Sequence, residues 1–151
     1  MFSKVIGVAS ILGLTNAARN ILDYGAIPDL TDTNTAYANA HAMTKAIEDA
    51  NAGTSTDRAV LVPADNVFTF MPVHVDGLYN FQLTIDGTIL ASEDYMNWEN
   101  RTETHVYDFI TINDSTNIKI DGTGLVDGQG FRWWMREYVQ TNPAHRPCLL
   151  Q

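Results

Sequence analysis

The sequence has little cysteine, little positive charge and no long apolar run, and each scarcity excludes a class of protein. Its 151 residues include one cysteine, Cys148, which excludes a disulfide scaffold built within the chain. Nine Lys and Arg stand against 18 Asp and Glu without any basic cluster, so nucleic acid is not an expected partner. Residues 5–14 are too short for a membrane span, which needs about 20 apolar residues. A content of 45% hydrophobic residues still predicts a folded core, in one domain.

The N-terminus has the pattern of a secretory signal peptide. Lys4 precedes the apolar run, and Thr15-Asn16-Ala17 supplies small residues before a cleavage point. We therefore predict that residues 1–17 are a signal peptide and that the mature, secreted protein begins at Ala18. A short membrane anchor is the alternative, which the length of the run disfavours.

Secretion bears on the cysteine and on two asparagines. An oxidising compartment normally pairs cysteines, so Cys148 is expected to be a free thiol, to join another chain, or to pair with sequence beyond Gln151. Asn100 and Asn113 each begin an Asn-X-Ser/Thr triplet and are predicted glycosylation sites. Asn100 lies in a polar stretch and is the better candidate, because Asn113 directly follows an apolar run.

One segment is typical of an amphipathic helix. Its apolar side chains recur every three or four residues, which places them on one face: Ala36, Ala40, Met43, Ile47 and Ala50. Its polar residues are predicted to point elsewhere: Asn39, Lys45, Glu48 and Asp49. Asp32 or Thr33 can cap the start and Gly53 the end. The stripe is narrow, so the helix is expected to lie as a lid on a flat core.

From residue 59 onward the period changes to two. Short β-rich runs occupy residues 59–63, 73–75, 81–85, 109–112 and 118–120, separated by Gly, Asp and Asn. No second helical pattern is apparent. The body of the chain is therefore predicted to be all-β.

An internal repeat indicates how these strands are arranged. Residues 83–88 return as residues 118–123, 35 positions later, each ending in Asp-Gly-Thr. Three other pairs are 23 positions apart: Val60 with Leu83, Val62 with Ile85, and Ile89 with Ile112. The spacings agree if residues 93–105 contain an insertion of about 12 residues, which favours the stacked coils of a parallel β-helix. The alternative is an ordinary Asp-Gly turn that recurred by chance.

A series of motifs carries a family resemblance from Asp23 to Leu150. They are Asp23-Tyr24-Gly25-Ala26, Asp32-Thr33, residues 60–64, residues 83–91, Trp98, residues 120–130 with their Asp-Gly-Gln-Gly run, Trp133-Trp134, and residues 146–150. In this order they resemble glycoside hydrolase family 28, the polygalacturonases and rhamnogalacturonases that cut pectin. The resemblance implies a right-handed parallel β-helix capped by one N-terminal α-helix, with residues 18–58 as extension and cap and residues 59–151 as an incomplete set of first coils.

The resemblance also implies an activity and several structural roles. The family hydrolyses α-1,4-galacturonosyl links, which makes a pectic or other acidic polysaccharide the expected partner. Tight corners with positive φ are expected at Gly87, Gly122, Gly128 and Gly130, with each preceding Asp bonding the turn. The family's Asn-Thr-Asp, Asp-Asp, Gly-His-Gly and Arg-Ile-Lys motifs do not occur here. No catalytic residue is assigned, and the chain alone is expected to be inactive, its catalytic face lying on missing C-terminal coils.

The remaining candidates for binding are aromatic and basic. Trp133 and Trp134 are predicted either to stack on sugar rings or to pack in the core, and Arg132 to meet a uronate carboxylate, as could Arg136 and Arg146. Asp121 and Asp127 form a tempting carboxylate pair, but each precedes a glycine and is better explained as a turn cap. The four histidines lack ligand spacing, so neither a metal site nor a cofactor is expected.

Three functions stay open at this point. The first is the N-terminal segment of a secreted pectin-degrading hydrolase. A second is a non-catalytic secreted β-helix that binds glycans or serves as a surface protein. The third is a calcium-dependent polysaccharide lyase. It is disfavoured because calcium would need carboxylates stacked on one sheet face, whereas the outward positions of the strands carry Lys119, Thr84 and Thr111.

Overall fold

The structure is a computed structural model that describes residues 18–53, 58–103, 105–139 and 145–151. The predicted signal peptide lies outside these residues. The described elements are β1 (Arg19–Asn20), a 3₁₀ turn (Ile21–Tyr24), α1 (Thr33–Ala52), β2 (Ala59–Val62), β3 (Val67–Phe70), β4 (Val73–Asp76), β5 (Tyr79–Ile85), β6 (Thr88–Ala91), β7 (Ile110–Asn113), β8 (Thr116–Asp121), β9 (Leu125–Asp127) and α2 (Phe131–Val139). Within the described ranges, neither helix has the length and apolar character to cross a membrane.

The strands form three parallel sheets that the chain visits in rotation. One sheet has the order β1-β2-β5-β8, a second β3-β6-β9 and a third β4-β7. Strands β2, β3 and β4 make a first coil, β5, β6 and β7 a second, and β8 and β9 continue into a third. The prediction of mainly parallel β-structure is confirmed, and the arrangement is consistent with a β-helix-like fold.

The pairing of the first two coils follows the predicted spacing of 23. Val60 pairs with Leu83, and Val62 with Ile85. An irregular segment separates β6 from β7, where the insertion was predicted.

Two other predicted pairings are wrong. Ile120 lies beside Leu83 rather than Ile85, so the repeat between these coils is 37 residues and not 35. Ile89 pairs with Val126, and Ile112 pairs with Val75 in a different sheet. Side chains alternate along a strand, so a shift of two positions keeps the same face inward and the apolar pattern alone cannot distinguish the two registers.

Helix α1 matches its prediction closely. The five residues of its apolar stripe are all buried. Asp32 caps the start, because its Oδ1 accepts a hydrogen bond from the Thr35 backbone N–H at 3.0 Å and its Oδ2 accepts one from the Thr35 hydroxyl at 2.6 Å. The helix ends at Gly53, whose N–H donates to the Ala50 carbonyl. It packs mainly on β3, on the 3₁₀ turn and on β4.

Asn39 corrects one part of that prediction, because it is fully buried instead of pointing away from the core. Its Oδ1 accepts from the Ile27 N–H at 2.6 Å, and its Nδ2 donates to the carbonyls of Ile27 and Thr69 at 3.0 and 2.9 Å. A buried amide is tolerated when its hydrogen bonds are made, and here it joins α1 to the preceding segment and to β3. The other three residues predicted to point away from the core, Lys45, Glu48 and Asp49, are exposed.

The glycines of the corners act differently from the prediction. Of the four, only Gly122 has a positive φ, +127°. At Gly87 a Cβ atom would lie 2.3 Å from the Pro63 carbonyl oxygen, so this position requires glycine because two coils approach closely. Asp86 accepts from the N–H of Thr123 in the next coil at 3.0 Å and does not cap its own turn.

Candidate functional site

Helix α2 is the main element that the sequence analysis missed, since it predicted no second helix. The segment is rich in Phe, Trp and Tyr, whose helix propensities are modest, and it is only nine residues long. A signal was present in the spacing of Trp134 and Tyr138, whose rings stack at 6.5 Å as an i,i+4 pair. The helix buries one side chain, Trp133.

Trp133 anchors α2 against the insertion between β6 and β7. It is 3% exposed, and its ring meets Trp98 edge-on at 5.5 Å and Tyr95 at 6.1 Å. The Arg136 guanidinium lies 5.5 Å from the ring centroids of both Tyr95 and Trp133. Trp133 therefore packs as a core residue, and it presents almost no ring surface for stacking on a sugar.

Trp134 has the opposite environment. Its side chain is 59% exposed, with the ring nearly parallel to that of Tyr138. Arg132 lies away from it, with its Nε 3.8 Å from Glu93 Oε2. Of the three predicted substrate-binding residues, the structure brings Trp133 and Trp134 to one groove and leaves Arg132 outside it.

This groove lies between α2 and residues 145–148 and has a volume of about 690 Å³. We call it the α2 groove. Its chemistry comes from six side chains: Trp133, Trp134, Glu137, His145, Arg146 and Cys148. Arg146 Nε and Glu137 Oε2 form an ion pair at 2.5 Å, with both side chains about half exposed. The Cys148 thiol is exposed and free.

The far wall of the groove is tied to the insertion and to β7. The Cys148 N–H donates to Asp108 Oδ1 at 2.5 Å, and the Phe109 N–H donates to the Cys148 carbonyl at 2.9 Å. His105 and His145 form a parallel bridge with their rings stacked at 4.6 Å. The sequence analysis treated these histidines as scattered, because a contact across 40 residues leaves no local signal.

Trp133, which lines the groove, carries an unsatisfied hydrogen-bond donor. Trp133 Nε1 is buried and has no hydrogen-bond partner in the part of the chain that the structure describes. Burying an amide-like N–H without a partner costs about 1–3 kcal/mol. Trp133 also lines the groove, so a ligand oxygen could meet this N–H only after the side chains that cover it move.

The two aspartates of the family-like segment differ in role. Asp127 accepts from the Gln129 N–H at 2.8 Å and is the predicted turn cap. Asp121 is not a turn cap. It lies on the outer face of β8, where it pairs with Lys119 Nζ at 2.6 Å and accepts from Thr84 Oγ1 at 3.0 Å.

The ionisation of Asp121 follows from these contacts. Its hydrogen bond from Lys119, then those from Gln82 and Thr84, lower the pKa of its carboxyl. A general acid needs a raised pKa, so Asp121 is unsuited to protonating a leaving group.

The remaining titratable candidates form no metal centre among the described residues, where no three His, Cys, Asp or Glu side chains converge.

His74 lies under the ring of Tyr107, with centroids 4.0 Å apart. Both of its ring nitrogens are buried without a partner in the described ranges, and burial lowers its pKa.

The two predicted glycosylation sites differ in their surroundings. Asn100 is exposed on the insertion, where it forms an isolated antiparallel bridge with Val106. Asn113 is also exposed but ends β7, and its carbonyl accepts from the Gly77 N–H and from the Ser115 hydroxyl. The Ser115 hydroxyl also accepts from the Leu78 N–H at 2.9 Å, so the third residue of that triplet is already engaged.

Comparison with known proteins gives a distant relationship. No family model matches the chain. The chain is 33% identical over 119 residues to a polygalacturonase of Juniperus ashei and 31% identical over 119 residues to a polygalacturonase of Chamaecyparis obtusa. Each alignment covers 76% of this chain but only 21% and 20% of the two relatives, so the chain spans about a fifth of their length. The chain is therefore distantly related to polygalacturonases.

Proposed function

We propose that this chain is the N-terminal segment of a secreted pectin-degrading hydrolase that cleaves α-1,4-galacturonosyl links. The observation that carries the proposal is the similarity to two polygalacturonases over 119 residues. The three parallel sheets support it, because they match the start of the right-handed parallel β-helix that we propose for the whole protein. In this scheme residues 1–17 direct secretion, residues 18–58 contain the cap and residues 59–151 the first coils.

Within this proposal the chain supplies scaffold and the following coils supply chemistry. Glycoside hydrolysis with inversion needs an acid and a base about 6.5–9.5 Å apart, the acid with a raised pKa. The carboxyl groups with shifted pKa values in the described residues, Asp32, Asp49, Asp94 and Asp121, are all lowered. We place the catalytic carboxylates on C-terminal coils, which would stack on β8 and β9 and could offer Cys148 a partner.

The test compares two secreted proteins on polygalacturonic acid. The 151-residue chain should release no reducing ends above a mock purification, whereas the chain extended by its following coding sequence should release them. Activity of the 151-residue chain would contradict the proposal that the catalytic residues lie on the following coils. Inactivity of a folded extended protein, with polygalacturonic acid and rhamnogalacturonan both tried, would contradict the hydrolase.

The α2 groove favours a second candidate, a non-catalytic secreted protein that binds glycans. Its exposed Trp134 and its arginine both lie among the described residues of this chain. If the longest form of the protein retained polygalacturonic acid on a column without cleaving it, this second function would replace the first.

Secretion has its own test. Mass spectrometry of secreted material should show Ala18 as the first residue and a glycan on Asn100, which is exposed on the insertion. We expect Asn113 to be modified less, because the Ser115 hydroxyl is engaged. An intact Met1 in the secreted protein would contradict the signal peptide.

A further inference from the structure

We propose that the α2 groove is a binding subsite for one acidic sugar ring of a polysaccharide, separate from any catalytic centre. The choice of an acidic sugar draws on the proposed function, while the site itself is argued from its side chains. Trp134 would stack on the ring, Arg146 would pair with the carboxylate, and Trp133 Nε1 would donate to an oxygen of the sugar.

The unsatisfied indole of Trp133 is the first argument. Trp133 is 3% exposed, and its ring is fixed by Trp98 and Tyr95. Its N–H is therefore a fixed donor that is fully buried beside the groove, without a partner among the described residues. A ligand oxygen that reached this N–H after displacement of the side chains covering it would gain a hydrogen bond and remove the cost of the unsatisfied group.

The exposed pair of aromatic rings is the second argument. Trp134 is 59% and Tyr138 81% exposed, and their rings are within 5° of parallel. An α-helix would normally place such large apolar side chains against a core. Trp134 lines the groove, and its exposed ring suits the apolar face of a pyranose ring.

The ion pair of Arg146 and Glu137 is the third argument, and it selects the charge of the ligand. Arg binds carboxylates in a bidentate geometry, and here it is held at the groove by a carboxylate of the protein, about half exposed. A surface ion pair contributes little to stability, so exchanging Glu137 for a ligand carboxylate costs little. The formal charge of −9 disfavours non-specific binding of a polyanion, so retention must come from these local contacts.

The experiment titrates the 151-residue chain with trigalacturonic acid and with its uncharged methyl ester, using calorimetry and tryptophan fluorescence. We expect saturable binding of the acid and weaker binding of the ester. Trp134→Ala should weaken both by about tenfold. Arg146→Gln should remove the preference for the acid, whereas Glu137→Gln should raise affinity for the acid and leave the ester unchanged.

Matched variants separate binding from folding. Arg132→Gln alters an arginine of the same helix that lies outside the groove, and it should bind both trimers as the unmodified chain does. Trp133→Phe keeps an aromatic ring but removes the N–H, and it should weaken both trimers several-fold. Near-UV circular dichroism of each variant reports whether the aromatic packing is kept.

The outcomes that overturn the subsite differ from those that overturn the hydrolase. No saturable binding of either trimer by the folded chain, or an unchanged acid preference in Arg146→Gln, would overturn the subsite even if an extended protein cleaved pectin. Binding with the expected variant pattern would keep the subsite even if the extended protein proved inactive.

Discussion

The first and last coils of this chain have the same inward pattern but very different burial. Val60, Leu83 and Ile120 stand in line in one sheet, and they are 0%, 1% and 39% exposed. A second line, Val73, Ile110 and Leu150, is 1%, 5% and 54% exposed. An inward-facing apolar side chain is thus buried only where another layer stacks on its coil.

The two ends also differ in what covers them. Helix α1 packs its Ala-rich face on the first coil, mainly on β3 and β4. Strands β8 and β9 are edge strands of their sheets, and an apolar cavity of about 130 Å³ opens between Leu83, Ile120 and Leu150 among others. Edge strands with exposed apolar side chains promote association between chains.

The largest expected effect concerns association at the uncovered end. The purified mature segment should be marginally stable and should form larger species whose amount rises with concentration, measured by light scattering. Replacing Ile120 and Leu150 by Lys should reduce this association, because charge blocks edge pairing. A monomeric unmodified chain that melts cooperatively above about 60 °C would contradict both this prediction and the fragment interpretation.

The next prediction compares the middle and the end of one line of side chains. Leu83→Ala removes a fully buried side chain and should lower the free energy of unfolding by about 2–5 kcal/mol. Ile120→Ala removes one that is 39% exposed and should cost less than about 2 kcal/mol. Urea denaturation followed by circular dichroism measures both, and equal losses would show that the end is covered in solution.

A smaller effect is expected at the cap. Asn39→Ala leaves the Ile27 N–H and two carbonyls without their partner, and it should lower the free energy of unfolding by about 2–3 kcal/mol. Lys45→Ala on the exposed side of the same helix is the control and should change stability by less than about 0.5 kcal/mol. A neutral Asn39→Ala would mean that α1 is not fastened to the first coil through this amide.

The smallest effect is a dependence on pH at the first coil. Burial lowers the pKa of His74 below its ordinary value of 6.5. As the pH falls, the His74 side chain is therefore protonated at a higher pH in the unfolded chain than in the folded chain. His74 should therefore contribute stability above pH 6.5 that is lost as the pH falls through 6.5 toward its folded pKa.

The matched variant for this test is His74→Phe, which keeps a ring under Tyr107. Its urea midpoint should change less between pH 7.5 and pH 5 than that of the unmodified chain, because the titrating group is gone. If the urea midpoints of the two proteins changed equally with pH, His74 would not be the cause of the pH dependence of stability.

Several features could be predicted from the sequence because they depend on neighbours along the chain. The stripe of α1 and its Asp32 cap are set by residues three or four positions apart. The first coil repeat is set by β2 and β5, which are separated only by two short strands and their short connections. Trp133 and Trp134 were predicted, from the chemistry of aromatic rings, either to stack on sugar rings or to pack in the core, but the helix that carries them was not predicted.

The local pattern determined that this chain makes short strands, one capped helix and a repeat near 23 residues, since side-chain alternation and helix periodicity act over a few residues. Tertiary structure alone decided the 37-residue register, the burial of Asn39 and the different fates of Trp133 and Trp134. The physical reason is that each of these features depends on which residues, distant in sequence, pack against it and exclude water. The Trp98 ring covers one tryptophan of α2, and no described residue covers the other to the same degree.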